Sequence, residues 1–304
     1  MKKITIFIII LFLNYFTYRV YGAFEVQLND ARSSSLGGIL ISDKSGYEAG
    51  FQNPALLDEI ERFVFIGSYG PIFLGIDNGS INTYSAGVAY KYKKYGTLGL
   101  FYTGLNVSSF NENIYNESSF KILYGRKILK NFSGGISFSL LKWSAQVSLF
   151  DSTENEKFSS SLIISCDVGI KFKVLNNLQM GALIKNINSP SINSVDKLPF
   201  ITGIGLSYIL DEKKEYMLSF NSLLKDDSID YSTGVELNKL FKYFSLRSGI
   251  EFLDSGKGIN FDIGMGYRYI TLNYDIIVNY AFLYPVINLT ETAGTHIISV
   301  EFRY

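Results

Sequence analysis

A chain of 304 residues has the length of about two ordinary soluble domains, but only 18% of it is charged while 47% is apolar and 15% aromatic, against roughly 25% charge in a typical soluble protein. With 24 Phe and 22 Tyr against 5 Pro it is neither disordered, collagenous nor a coiled coil, and 28 basic against 28 acidic residues leave no net positive field to hold nucleic acid. One Cys and one His exclude an internal disulfide or thiolate cluster and leave little for a zinc site.

Lys2 and Lys3 precede an apolar run over residues 4–13, extended by Tyr15, Phe16 and Tyr18, and Val20 and Gly22 offer small residues to a signal peptidase. This predicts a secretory signal over residues 1–22, cleaved between Gly22 and Ala23. Asn14, Thr17 and Arg19 interrupt the run before the roughly 20 apolar residues that a spanning helix needs. Removing Lys2, Lys3 and Arg19 leaves 25 basic against 28 acidic residues, 25 − 28 = −3. The most apolar later stretch, 270–289, is broken by Asn273, Asp275, Asn279, Pro285 and Asn288. If the mature chain lives in a membrane, it must cross it with strands.

Residues 23–61 show no alternating pattern. They carry Ala31-Arg32-Ser33-Ser34-Ser35-Leu36-Gly37-Gly38 and then Phe51-Gln52-Asn53-Pro54-Ala55-Leu56-Leu57. The paired glycines permit close packing and left-handed turns. Asn53-Pro54 predicts an extended residue followed by a short helix with Pro at its first position, and Leu56, Leu57 and Ile60 supply that helix with an apolar side.

From Arg62 onward large apolar residues recur at every second position. Ile259, Phe261, Ile263, Met265, Tyr267 and Tyr269 alternate with Asn260, Asp262, Gly264, Gly266 and Arg268. Leu162, Ile164, Cys166, Val168, Ile170 and Phe172 stand over Ser165, Asp167, Gly169 and Lys171. Successive strand side chains point to opposite faces, so the period predicts strands with one apolar and one polar face. Fourteen such segments are predicted, at 62–70, 83–92, 96–105, 118–128, 132–141, 158–174, 177–185, 198–209, 215–224, 229–237, 243–253, 258–268, 270–281 and 295–304.

Most segments run to about ten residues, the length of a tilted membrane strand rather than the five or six of a soluble one. Gly and Ser crowd the polar face, as in a barrel lumen, and Tyr and Phe cluster near segment ends like interfacial girdles. Connections after odd-numbered segments tend to be long (71–82, 106–117, 142–157, 186–197, 282–294) and those after even-numbered ones tight (93–95, 129–131, 175–176, 211–214, 269), with 225–228 and 254–256 as short exceptions. An even strand count with both chain ends on the periplasmic side produces that parity. The fold class predicted is all-β, a transmembrane antiparallel barrel of about 14 strands over 62–304. Its last segment sets Ile298, Val300, Phe302 and Tyr304 over Ser299, Glu301 and Arg303. That aromatic ending resembles the signal read by barrel-assembly machinery, and the last strand must in any case pair with the first to abolish edges.

Fourteen strands enclose a lumen too wide for side chains to fill, which makes 23–61 the predicted hatch. Here the sequence resembles a family. The Ala31-to-Gly38 run, Asn53-Pro54-Ala55 before the barrel, and the closing Gly294-Thr295-His296 with Ser299 and Phe302 are similar to the FadL-type outer-membrane proteins. The similarity is greatest to their shorter PorV- and PorQ-like relatives and to uncharacterised families of the same size. Leu56 stands where Gly is commoner, and Asp43-Lys44-Ser45 where Asp-Asp-Ala-Ser is usual.

The resemblance implies an outer-membrane barrel that passes or binds hydrophobic small molecules, its hatch holding or releasing the ligand. As the alternative it implies a PorV-like role as accessory or shuttle in protein secretion or cell-surface assembly; a mainly structural barrel is the third reading. Hatch and ligand candidates are Gly37, Gly38, Phe51, Asn53, Pro54, Ala55, Leu56 and Leu57, with a hydrophobic pocket expected around Phe51, Leu56 and Leu57. Expected partners are outer-membrane lipid, barrel-assembly machinery, a hydrophobic ligand and secretion-system proteins, but no nucleic acid; no cofactor, metal or catalytic residue is expected. A hydrolytic nucleophile needs an oriented base, and the sole His296 is expected to be structural. Cys166 is expected to face lipid and Trp143 to join the interfacial belt. Lys171, Lys173, Asp167, Arg247, Glu251, Asp262 and Arg268 are expected to form a solvated or mutually paired lumen wall.

Overall fold

The computed structural model describes residues 23–24, 30–43, 46–110, 112–148, 155–193, 196–211, 216–225, 228–253, 258–286 and 292–304; the predicted leader, 1–22, lies outside the described residues. The strands are β1 Phe63–Ile72, β2 Gly79–Lys91, β3 Thr97–Ser109, β4 Glu112–Leu129, β5 Phe132–Ser148, β6 Asn155–Ser159, β7 Ile163–Lys173, β8 Leu178–Lys185, β9 Ile201–Asp211, β10 Tyr216–Lys225, β11 Ser228–Leu240, β12 Phe244–Leu253, β13 Gly258–Ile270, β14 Asp275–Pro285 and β15 Thr295–Arg303. Each pairs antiparallel with its sequence neighbour, and β1 pairs with β15 from Val64↔Arg303 to Tyr69↔Ile298, so the sheet closes. Both β6 and β7 lie on the same edge of β5, one above the other, and together make a single interrupted stave. The barrel therefore has 14 staves.

Alternation sorts the side chains as the sequence requires. Phe261, Ile263, Met265 and Tyr267 point outward and are exposed, while Asp262 between them is 0% exposed and faces the lumen. Exposed Ile204, Leu206, Tyr208 and Leu210 on β9 likewise stand over buried Ser207 and Ile209. An apolar outer band over a polar lumen is what a strand surface in lipid demands. This is a transmembrane barrel.

The strands outrun the predicted segments at one rim. The 106–117 stretch, expected as a long loop, is mostly ladder: the β3–β4 pairing runs to Ser109↔Glu112. Asn106 Nδ2 donates there to Asn116 Oδ1 (2.6 Å) and Asn113 Oδ1 (3.0 Å). Above the apolar band no lipid selects for greasy residues, so the period-two signal fades while the backbone ladder continues. The β7–β8 ladder stops at Val168↔Ile184. Beyond it Asn188 stands in for a strand, its Oδ1 accepting from Cys166 N and its Nδ2 donating to Ile164 O.

The start of β1 and the C-terminal residue meet at the other rim, where Phe63 N donates to Tyr304 O and Tyr304 N to Phe63 O. We call this the terminal rim. The tight connections 92–96, 130–131, 174–177, 241–243 and 271–274 lie on it, and the 186–200 connection lies on the opposite one.

Candidate lumenal site

Inside the cylinder lies the chain's own front end. Asp30 caps a single helical turn, α1 Ala31–Ser34, its Oδ1 accepting from Ser33 N and its Oδ2 from Ser33 Oγ, both at 2.7 Å. Gly38 N then donates to Ser33 O and Gly37 N to Ser34 O. That double closure is a Schellman ending, which needs left-handed backbone; Gly37 and Gly38 supply it with φ of 90° and 88°. Farther on, Asn53 is extended (φ −111°, ψ 108°), and its Oδ1 accepts from Ala55 N to cap a 3₁₀ helix, Pro54–Glu59. Asn53 Nδ2 donates to Ile41 O at 2.7 Å, so one side chain ties two turns of the segment together.

The wall is shaped to receive these turns. A Cβ at Gly125, Gly135 or Gly169 would fall well under 3.0 Å from Pro54 O, Pro54 C and Asn53 Oδ1 respectively. Glycine inside a strand commonly marks such an approach by a second backbone. Leu57 and Phe51 pack with Ile60, Val64, Ile66, Ala89, Phe101 and Leu123. Leu56 joins a separate cluster with Leu36, Leu40, Ala49, Ile209 and Met217. Ala55 is fully buried.

Charge pins the segment as well. Arg32, 3% exposed, donates through Nε and Nη2 to the two carboxylate oxygens of Glu236 on β11 (2.9 and 2.7 Å) and through Nη1 to Asp43 Oδ2 (2.5 Å). Arg247 on β12 donates to the same Glu236 (2.6 Å) and to Asn279 (2.9 Å). Burial pulls the pKa of Arg32 down, but Asp43, Glu236 and Glu48 outweigh it and raise the pKa. Lower in the segment, Lys171 on β7 pairs with Asp58 and Glu59. Lys121 pairs with Asp167, and Arg268 with Asp275, so much of the lumen wall expected from the sequence is mutually neutralised.

Asp262 on β13, buried with no hydrogen bond to either oxygen, departs from that expectation, and so does Glu48. The two oxygens of Glu48 accept no hydrogen bond, and Arg32 Nη1 stands 3.7 Å away. Burial, then the neighbouring Glu301, push its pKa from 4.5 to about 8 against the pull of Arg32. The folded state thus holds a proton that the unfolded chain loses above about pH 4.5. The associated stability is full below that pH and is lost as pH rises toward 8. Glu48→Gln, neutral throughout, should match the wild type at pH 5 and melt higher at pH 8 when thermal unfolding is followed in detergent. Asp30, raised to about 6 by burial and then Glu48, leaves a smaller slope of the same sign in that variant. Identical melting profiles for the two proteins would refute the assignment.

Two cavities flank the segment. One, of about 80 Å³, lies toward the opposite rim. Its lining mixes Phe24, Phe51, Phe101, Leu141 and Leu198 with Thr83, Ser139, Lys121, Asp167 and Lys185, and Phe101 stands opposite Lys121 in the β3–β4 ladder. Phe51 stacks on Phe101 with ring centroids 4.9 Å apart. Phe24 N donates to Glu117 Oε1 (2.9 Å), and its ring packs against Leu141, Ile163, Ile192 and Leu198 beneath the 186–200 connection. The other cavity, about 40 Å³, opens at the terminal rim among basic side chains.

The predicted pocket trio is therefore divided. Phe51 lines a cavity, whereas Leu56 and Leu57 are spent on seating the segment. Phe24 and the Arg32–Glu236–Arg247 chain escaped the sequence reading. Trp143 also departs from expectation: it shares inward parity with Leu141, stacks on Tyr115 (6.3 Å between centroids) and packs against the cluster around Phe24, not against lipid. His296 is held between Tyr280 OH at Nδ1 (2.7 Å) and Ala293 O at Nε2 (3.1 Å).

These features define a closed 14-stave barrel whose lumen is occupied by its own N-terminal segment. Among solved structures the chain is similar to the Ralstonia pickettii toluene transporter TbuX, at 11% identity over 93% of this chain and 100% of that one with a TM-score of 0.68. It is also similar to the Pseudomonas putida toluene transporter TodX (10%, 92% and 99%, TM-score 0.66) and to a Pseudomonas aeruginosa FadL homologue (10%, 91% and 98%, TM-score 0.64). At such identity the likeness is one of fold, and the fold is the FadL type expected from the sequence. No family model and no curated protein matches the chain.

Proposed function

We propose that this protein is an outer-membrane conduit for hydrophobic small molecules. In this reading residues 1–22 are a cleaved leader, 23–61 the hatch and 62–304 the wall, with the short-turn terminal rim in the periplasm. The C-terminal strand ending on Tyr304 serves barrel assembly. The observation that carries the reading is the cavity between hatch and wall, with Phe24, Phe51 and Phe101 in its lining. An apolar void of about 150 Å³ takes up a benzene ring. At about 80 Å³ the cavity is too small for that guest until Phe24 withdraws. The described contacts holding Phe24 are one backbone hydrogen bond to Glu117 and apolar packing; a hydrophobic guest can replace the packing, while Glu117 Oε1 keeps the Tyr115 hydroxyl as a donor. The PorV-type alternative finds no support in the structural relatives.

Since TbuX and TodX are toluene transporters, toluene is the first probe. A strain lacking the protein should take up toluene more slowly than its complemented parent, with its secreted-protein profile unchanged. Phe24→Ala should enlarge the cavity and tighten toluene binding to the purified barrel about tenfold, or ~1.4 kcal/mol. Unaltered uptake in the deletion strain, together with unaltered binding by the variant, would end the conduit reading.

A further inference from the structure

The cavity at the terminal rim differs chemically from its counterpart. Six cationic side chains line it, namely Arg32, Lys239, Lys242, Arg247, Arg268 and Arg303, and the sole carboxylate among its lining residues is Glu48. The acids that accept hydrogen bonds from the four arginines, Asp43, Glu236, Asp275 and Glu301, are not among the residues lining the cavity. Arg268 spends Nε and Nη2 on Asp275, and Arg303 spends Nε and Nη2 on Glu301. Nη1 of each is left uncommitted among the described residues. Lys242 forms no ion pair among the described residues; its ammonium lies 5.1 Å over the Tyr243 ring. Glu48 offers little opposition, because burial and then Glu301 hold it largely protonated at neutral pH. The space, about 40 Å³, is of the order of three water-sized spheres.

Clustered guanidinium groups with spare N–H donors, an exposed ammonium and room for one compact group are the chemistry that recognises a phosphate. We propose that the mouth of the lumen at the terminal rim is a binding site for a phosphate group, with Lys242, Arg268 and Arg303 as its donors. The phosphate can come from the free ion or from a phospholipid headgroup folded over the rim, where Phe241 and Leu272 on adjacent turns are fully or almost fully exposed. The site does not depend on the conduit reading, since it lies on the other side of the segment from the Phe24 cavity.

The test uses the full mature barrel in a zwitterionic detergent. Inorganic phosphate is titrated in by calorimetry, and vesicles of phosphatidylglycerol or of phosphatidylcholine alone are offered in parallel. Saturable binding of inorganic phosphate, or selective retention of phosphatidylglycerol, supports the site and tells the two sources apart. Lys242→Glu should weaken that binding at least tenfold while heat-modifiable gel mobility stays intact. Lys94→Glu, on the 92–96 turn of the same rim and not among the lining residues, should leave it unchanged. Absence of saturable binding in both arms, or equal losses in the Lys242 and Lys94 variants, would overturn the assignment, the latter because it reports rim charge in general.

Discussion

Arg32→Met should loosen the N-terminal segment without dissolving the barrel. Arg32 pairs with Asp43 and shares Glu236 with Arg247. Removing one member of a buried ion-pair network strands the charges left behind, at a cost of roughly 3–5 kcal/mol. The wall keeps its ladders, so the variant should retain heat-modifiable mobility. Protease should then cut within residues 30–61, and ion conductance across a planar bilayer should rise severalfold above the wild type. Neutralising the stranded acid in Arg32→Met/Asp43→Asn, with Glu236 still paired to Arg247, should restore part of the protection, because the penalty lies in unpaired charge and not in lost packing. Full protection and wild-type conductance in the single variant would show that the ion pairs do not hold the segment.

How much of this was legible beforehand follows from what each feature demands of local sequence. A strand between lipid and lumen must be apolar on alternate residues for its whole buried length. That is why Phe261-Asp262-Ile263-Gly264-Met265 announces both its conformation and its facing. Local motifs were equally readable: Gly37-Gly38 could only close a turn, and Asn53-Pro54 could only begin one. What stayed hidden depends on partners far apart in sequence. Arg32 and Glu236 are 204 positions apart, and no pattern within either neighbourhood couples them. Trp143 was misplaced because interfacial belts and lumen caps both favour tryptophan, and only its parity with Leu141 tells them apart. Phe24 is the second residue after the proposed cleavage site, where nothing periodic announces that it reaches the far side of the lumen. The glycines under Pro54 were visible as part of a small-residue face. Their message, that another backbone lies against them, was not separable from ordinary lumenal composition.

Those glycines yield an experiment in which even the sign of the effect is diagnostic. In a strand facing an open lumen, Gly→Ala stabilises by roughly 0.5–1 kcal/mol, because alanine has less backbone freedom to lose on folding. Under the Pro54 turn the added methyl meets backbone: at Gly135 its nearest neighbours include Ala55 N at 2.5 Å, which no side-chain rotation can relieve. Overpacking of this kind costs roughly 1–3 kcal/mol. Gly135→Ala should therefore destabilise the protein and expose the segment to protease, and Gly125→Ala should add to the effect. At Gly67 on β1 a Cβ meets nothing nearer than the Phe65 ring at 3.7 Å. Gly67→Ala should be neutral or stabilising by the same thermal and proteolytic measures. The discriminating comparison repeats Gly135→Ala in a chain lacking residues 30–60. With the turn gone, the penalty should vanish and the alanine should stabilise the empty wall. A penalty that survives the deletion would place its origin in the strand itself, and the seat for Asn53 and Pro54 would lose its physical basis.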